Sequence, residues 1–187
     1  MNKQFSYLLP IAILTVGLLT TTPAQACQPG TQERPSQESR LYTNNDVGFS
    51  FLIPENYRTM GLNNGQMMLL LEPAAFDYLR CVLRNKIPSD SGGESISVTT
   101  EKINVSDTSI RSLLFELMPF MRREGFDFRD ATLQGQSALV FSQENRMYDT
   151  TMTHVALRSP DRKTFIFISG EKGSHELNRA LQSFKFE

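Results

Sequence analysis

An α+β domain, with helices packed on an antiparallel sheet, is the architecture this sequence predicts. Three observations point to it. Short segments alternate apolar and polar residues with the two-residue period of a half-buried strand, tight turn signals join several of them, and one segment carries a helical apolar stripe. The order along the chain is strand-rich, helix, strand-rich, helix. Tight connections argue for antiparallel pairing, because parallel strands need long crossovers. A parallel nucleotide-binding sheet is therefore not expected.

The elements follow in order. Phe49, Phe51 and Ile53 alternate within Val47–Ile53, which reads as a strand that Pro54 ends. Asn63-Asn64-Gly65 is a turn signal, since Asn and Gly tolerate positive φ. It leads into Met67–Leu71, a continuous apolar run suited to a strand covered on both faces. Pro73 suits the first position of a short helix, whose face would carry Phe76, Leu79, Val82 and Leu83. Pro88–Gly93 reads as a loop, and Ile96, Val98 and Thr100 mark the next strand. Ser106-Asp107 offers a helix cap. Ile110, Leu113, Leu114, Leu117, Met118 and Met121 then follow at helical spacing, with Arg122, Arg123 and Gly125 suiting the helix end. The predicted helix runs over 110–123, with a kink at Pro119. Ser137–Gln143, Thr150–Leu157 and Thr164–Ser169 read as strands, the last two as a hairpin turned at Ser159-Pro160-Asp161. Leu177, Ala180, Leu181 and Phe184 give a final short helix.

Of the 187 residues, 19 are Lys or Arg and 20 are Asp or Glu, a net charge of −1. This balance gives no general electrostatic footprint for nucleic acid. Hydrophobic residues make up 40% of the chain, with 13 Phe, enough for a packed core. With only two histidines, a His-built metal site is not expected, and no cofactor motif is found.

Residues 1–26 read as a signal peptide: Lys3, an apolar stretch of 13 residues from Tyr7 to Leu19, then Ala24-Gln25-Ala26 as a cleavage signature. That stretch is shorter than the roughly 20 residues that span a bilayer. The chain is therefore expected to be exported, to the periplasm or outside the cell. Residues 27–39 read as a flexible linker, and residues 40–187 as a single folded domain. Cys27 directly follows the cleavage signature, as the acylated cysteine of bacterial lipoproteins does. Ala24 stands where lipoproteins usually carry Leu, and Gln25 where they carry a small residue. Lipidation, a free thiol and a disulfide to Cys81 all stay open. Membrane attachment is expected only if Cys27 is lipidated.

No catalytic motif is complete. Asp90-Ser91-Gly92-Gly93 matches the D-S-G-G around the nucleophile of trypsin-like proteases, but His154 and His175 both lie downstream of it, whereas that family's histidine lies upstream. Cys81 with His154 as base would be an alternative nucleophilic pair. The carboxylates Glu55, Glu72, Asp77, Glu94 and Glu101 are scattered, Arg80, Arg84 and Lys86 read as a solvated face, and Met67, Met68, Met118 and Met121 read as packing residues.

Two segments together resemble a known family. Tyr42-Thr-Asn-Asn-Asp-Val-Gly-Phe-Ser-Phe-Leu-Ile-Pro-Glu-Asn-Tyr57 resembles the first hairpin of PsbP-like domains, and Glu176-Leu-Asn-Arg-Ala-Leu-Gln-Ser-Phe-Lys-Phe186 resembles their last helix. The resemblance implies an antiparallel sheet sandwiched by helices in α/β/α layers. It also implies a mostly non-enzymatic role, as in the extrinsic subunit of photosystem II and many exported bacterial proteins. Tyr57 stands where the photosystem branch carries Trp, so no metal or docking residues are carried over.

The leading expectation is an exported, non-catalytic accessory domain that binds an envelope protein partner. The alternatives are an extracytoplasmic hydrolase using Ser91 or Cys81 with His154, and a small-ligand carrier. The carrier would hold its ligand between the 110–123 helix and the sheet, facing Phe115 or Phe120.

Overall fold

The computed structural model describes residues 27–28, 30–86, 95–104, 108–122, 126–145 and 149–187. The signal segment, the Pro88–Gly93 loop with Ser91, and the Ser106-Asp107 cap lie outside the described residues, as do Arg123 and Gly125.

The architecture is α+β, with all strand pairs antiparallel. The strands are β1 (Ser39–Asn44), β2 (Phe49–Pro54), β3 (Arg58–Leu62), β4 (Met67–Leu71), β5 (Ser95–Lys102), β6 (Arg129–Leu133), β7 (Gln136–Asn145), β8 (Thr150–Arg158), β9 (Thr164–Glu171) and β10 (Lys185–Phe186). The helices are α1 (Pro73–Asn85), α2 (Ile110–Leu117) and α3 (His175–Ser183). Two sheets form rather than one. A small sheet has the order β1-β2-β10, and a seven-stranded sheet has the order β3-β4-β5-β9-β8-β7-β6.

The large sheet explains the rest, because its central strands are apolar on both faces. On β9, Ile166 and Ile168 enter one core while Phe165 and Phe167 enter the other. On β8, Val155 and Leu157 face the first core and Ala156 faces the second. Side chains alternate across a strand, so each face needs its own cover. The first face is covered by the small sheet and α3, through Phe49, Phe51, Ile53, Leu177, Ala180 and Phe184. The second is covered by α2 and the turn after it, through Leu113, Leu114 and Met121. The first cover is thus a mixed layer of strands and one helix, where the α/β/α expectation put helices alone.

The two segments that resemble PsbP-like domains meet in that mixed layer. β10 pairs with β2, and Phe184 stacks on Phe49 and Phe51 at 5.3 and 6.3 Å between ring centroids. Burying a Phe side chain contributes about 1.5–3 kcal/mol. These three rings are fully buried, so they are a main reason that β2 and the α3–β10 segment come together.

Local chemistry explains the element boundaries. Asn63, Asn64 and Gly65 all take positive φ between β3 and β4, as their sequence signals. Pro73 occupies the first turn of α1, and Lys86 closes it in the left-handed region. The expected apolar face of α1 is only partly used: Val82 is buried, whereas Leu83 is 49% exposed. The helix expected over 110–123 is broken instead of kinked. Met118 leaves helical geometry at φ −130°, ψ 74°, and Pro119–Arg122 form a 3₁₀ turn. A residue before proline is pushed out of the α region by the ring, which accounts for the break. The cap of α2 within the described residues is Ser109, whose hydroxyl accepts the Ser112 N–H at 3.1 Å.

Residues 30–38 carry no helix or strand but are tied to the domain. The Glu33 N–H donates to the Glu72 carboxylate at 2.8 Å, and Ser36 N–H donates to the Asn56 side chain at 2.9 Å. Gly170 marks a close approach between β9 and α3: a Cβ there would meet Leu177 Cδ1 at 3.2 Å and Leu177 Cβ at 3.3 Å. Gly170→Ala is expected to lower stability by about 1–2 kcal/mol through this overpacking, measured by urea denaturation. An unchanged or raised midpoint would contradict the close packing of α3 on β9.

Candidate functional site

The sequence-predicted residues fall in separate places. Cys81, on α1, forms a disulfide with Cys27, with the Cα atoms 5.7 Å apart. The Asn85 side chain donates to the Cys81 carbonyl at 2.8 Å and lies 3.4 and 3.5 Å from the Cys81 and Cys27 sulfurs. A bridged sulfur has no thiolate to offer as a nucleophile, and a bridged Cys27 has none to acylate.

His154 lies on β8, where the strand register sets its surroundings. Its cross-strand partners are Phe141 on β7 and Ser169 on β9. The imidazole stacks on the Phe141 and Phe167 rings at 4.8 and 5.3 Å. Nδ1 shares a hydrogen bond of 2.7 Å with Ser169 Oγ, and Nε2 has no hydrogen-bond partner among the described residues. Both residues are buried, at 7% and 5% exposure. Burial pushes the imidazole pKa down from 6.5 to about 4, since removing water disfavours the charged ring. At neutral pH this is a neutral histidine closing a polar cross-strand contact inside an aromatic core.

The structure therefore joins His154 to Ser169, a residue the sequence reading did not single out, and joins Cys81 to Cys27. Ser91 and Glu94 lie outside the described residues. His175 is exposed at the start of α3, and Arg179 lies 3.2 Å from its Nδ1. Among the carboxylates, Asp77 pairs with Arg58 at 3.0 Å, Glu72 is buried before α1, and Glu101 accepts from Gln66 at 3.1 Å. Among the described residues no three His, Cys, Asp or Glu side chains gather as metal ligands. Met121 is buried in the second core and Met68 packs on the first, so both serve packing. Phe115 packs edge-on against Phe128, while Phe120 is 52% exposed. No helix of the described residues is long and apolar enough to cross a membrane.

One cavity draws on several elements. It measures about 740 Å³ and lies where the start of α2 meets the β6–β7 hairpin and the end of β8. Arg111, Arg158 and Arg162 line it, with Asp130 and the hydroxyls of Thr108, Ser109, Ser137 and Ser159. Arg158 donates to the Thr108 carbonyl, tying the end of β8 to the approach to α2. The guanidinium of Arg111 sits 5.3 Å over the Phe128 ring, a cation–π contact. Sequence reasoning missed this cluster, because the three arginines are brought together only by the fold. The visible hint was Arg158-Ser-Pro-Asp-Arg162, two arginines bracketing a turn.

No family model matches the chain, and no curated protein matches it. Among solved structures it is similar to a protein from Bacteroides thetaiotaomicron VPI-5482, at 11% identity and a TM-score of 0.49. That match covers 81% of this chain and 49% of the other, so the chain spans about half the length of that protein. It is also similar to the solution structure of cyanobacterial PsbP (CyanoP) from Synechocystis sp. PCC 6803, at 12% identity and a TM-score of 0.49, covering 84% of this chain and 96% of that one.

The depressed His154 pKa has a stability consequence. The unfolded chain takes up this proton near 6.5, and the folded chain resists it down to about 4. Stability must therefore fall as pH drops through that window, by up to about 3 kcal/mol from this group. His154→Leu is expected to flatten the pH dependence of the urea midpoint between those limits. Equal slopes for the two proteins would contradict a buried neutral imidazole.

Proposed function

We propose that this chain is an exported, non-catalytic accessory domain of the PsbP-like kind, which binds a protein partner at the cell envelope. The observation that carries the reading is the Cys27–Cys81 disulfide. Such bonds persist in oxidising compartments and are rare in the cytosol of mesophiles. The bridge closes a sequence separation of 54 residues, a loop for which such a crosslink contributes about 2–4 kcal/mol. Its position just after the cleavage signature fits a leader removed on export. The kinship to PsbP-like domains is supported by the family-like end segments, which form one cover of the large sheet.

The partner contact in this reading is the exposed apolar end of α2 and the turn after it. Leu117 and Phe120 are 36% and 52% exposed, although their neighbours Leu113, Leu114 and Met121 are buried. The core fixes the backbone here, and aromatic side chains are enriched at protein interfaces.

The test uses the full chain with a photo-crosslinking residue at position 120, expressed in a host that exports it. The expected results are an intact mass for a bridged, unacylated Cys27 and one discrete adduct with an envelope protein. Leu117→Glu should reduce that adduct severalfold. An acylated Cys27, no adduct, or an adduct only between two copies of this chain would overturn the reading.

A further inference from the structure

We propose that the cavity lined by Arg111, Arg158 and Arg162 binds the phosphate group of a small phosphorylated molecule. The proposal does not depend on the partner-binding reading above.

The first argument is charge. Three arginines, Arg111, Arg158 and Arg162, line one cavity together with a single carboxylate, Asp130. A phosphate monoester carries about −1.5 to −2 at neutral pH, a charge that guanidinium groups pair with. Asp161, beside Arg162 in sequence, keeps its negative charge, with the Ser159 hydroxyl and the Lys163 N–H donating to it at 2.5 and 3.1 Å, and it lines the neighbouring cavity. Two other cavities among the described residues differ. The one of about 600 Å³ sets Lys102, Arg162 and Lys163 against Asp46 and Asp161. The one beside the disulfide has Glu33 and Asp77 and no cation.

The second argument is placement. Arg111 is held over Phe128, and Arg158 is held by the Thr108 carbonyl, so two of the cations are positioned before any ligand arrives. Guanidinium forks suit phosphate oxygens, since each presents paired N–H donors in a plane. The cavity also takes in the first turn of α2, where the Ile110 and Arg111 N–H groups have no acceptor within the helix. Ser109 and Ser137 add hydroxyls.

The third argument is size. At about 740 Å³ the cavity falls in the range of small-molecule sites, roughly 300–1,000 Å³, and has far more room than inorganic phosphate fills. Ile110, Ala131, Ala138 and Leu139 give part of the wall an apolar character that an organic moiety would cover.

Isothermal titration of the full chain with glucose 6-phosphate, inorganic phosphate and glucose tests this. The expected result is saturable binding of glucose 6-phosphate, weaker binding of inorganic phosphate and none of glucose. Arg162→Gln and Arg111→Gln should each weaken glucose 6-phosphate binding about tenfold, Arg162→Gln without lowering the thermal midpoint, as expected for the loss of one charged hydrogen-bonding partner. Asp130→Asn should tighten binding, which a merely structural role for these residues would not produce. No saturable heat at millimolar ester would overturn the proposal. So would equal affinity for inorganic phosphate, or binding indifferent to both arginine substitutions.

Discussion

The structure depends on one constraint: the two central strands of the seven-stranded sheet are apolar on both faces. Neither β8 nor β9 can leave a side to water. The chain meets this need with two unlike covers. One is assembled from two segments far apart in sequence, the β1–β2 hairpin and the α3–β10 segment, locked by stacked Phe49, Phe51 and Phe184. The other is a single short helix with the turn that follows it, seated on Phe141, Phe165 and Phe167. His154 lies beneath this second cover, and the arginine cavity lies at its rim.

This view explains why His154 is a packing residue. It lies on the face that α2 covers, opposite Ser169, and its stacking partners are the same rings that build the second core. A charged imidazole there would lack compensation, so the ring stays neutral and ties stability to pH. The disulfide works at the other extreme of the fold. It pins the start of the described chain to α1, which is also linked to β3 by the Arg58–Asp77 pair and by Arg58 over the Phe76 ring.

Legibility in the sequence followed burial. β2, β4, β5, β7, β8, β9 and α3 bury one or both faces, so their patterns show plainly. β3 and β6 are the edges of the large sheet and are mostly exposed, which leaves them no apolar alternation to read. β10 has two residues and exists by pairing with β2. The helix expected over 110–123 is longer than α2 because the apolar spacing continues through Met118 and Met121. The stripe is real, but the residue before Pro119 cannot hold helical geometry. Site legibility divided in the same way. The cysteines and His154 are rare residue types that stand out singly, whereas the Ser169 contact and the arginine cavity need strand register and a helix start that no local pattern reveals.

Native-state hydrogen exchange followed residue by residue tests the two-cover account most directly. If β8 and β9 require both covers, their amides should exchange only with global opening, and the slowest amides of β2 and α3 should share that same free energy. If instead β2 and α3 open together at much lower cost while β8 and β9 stay protected, the sheet stands without that cover and the account is wrong.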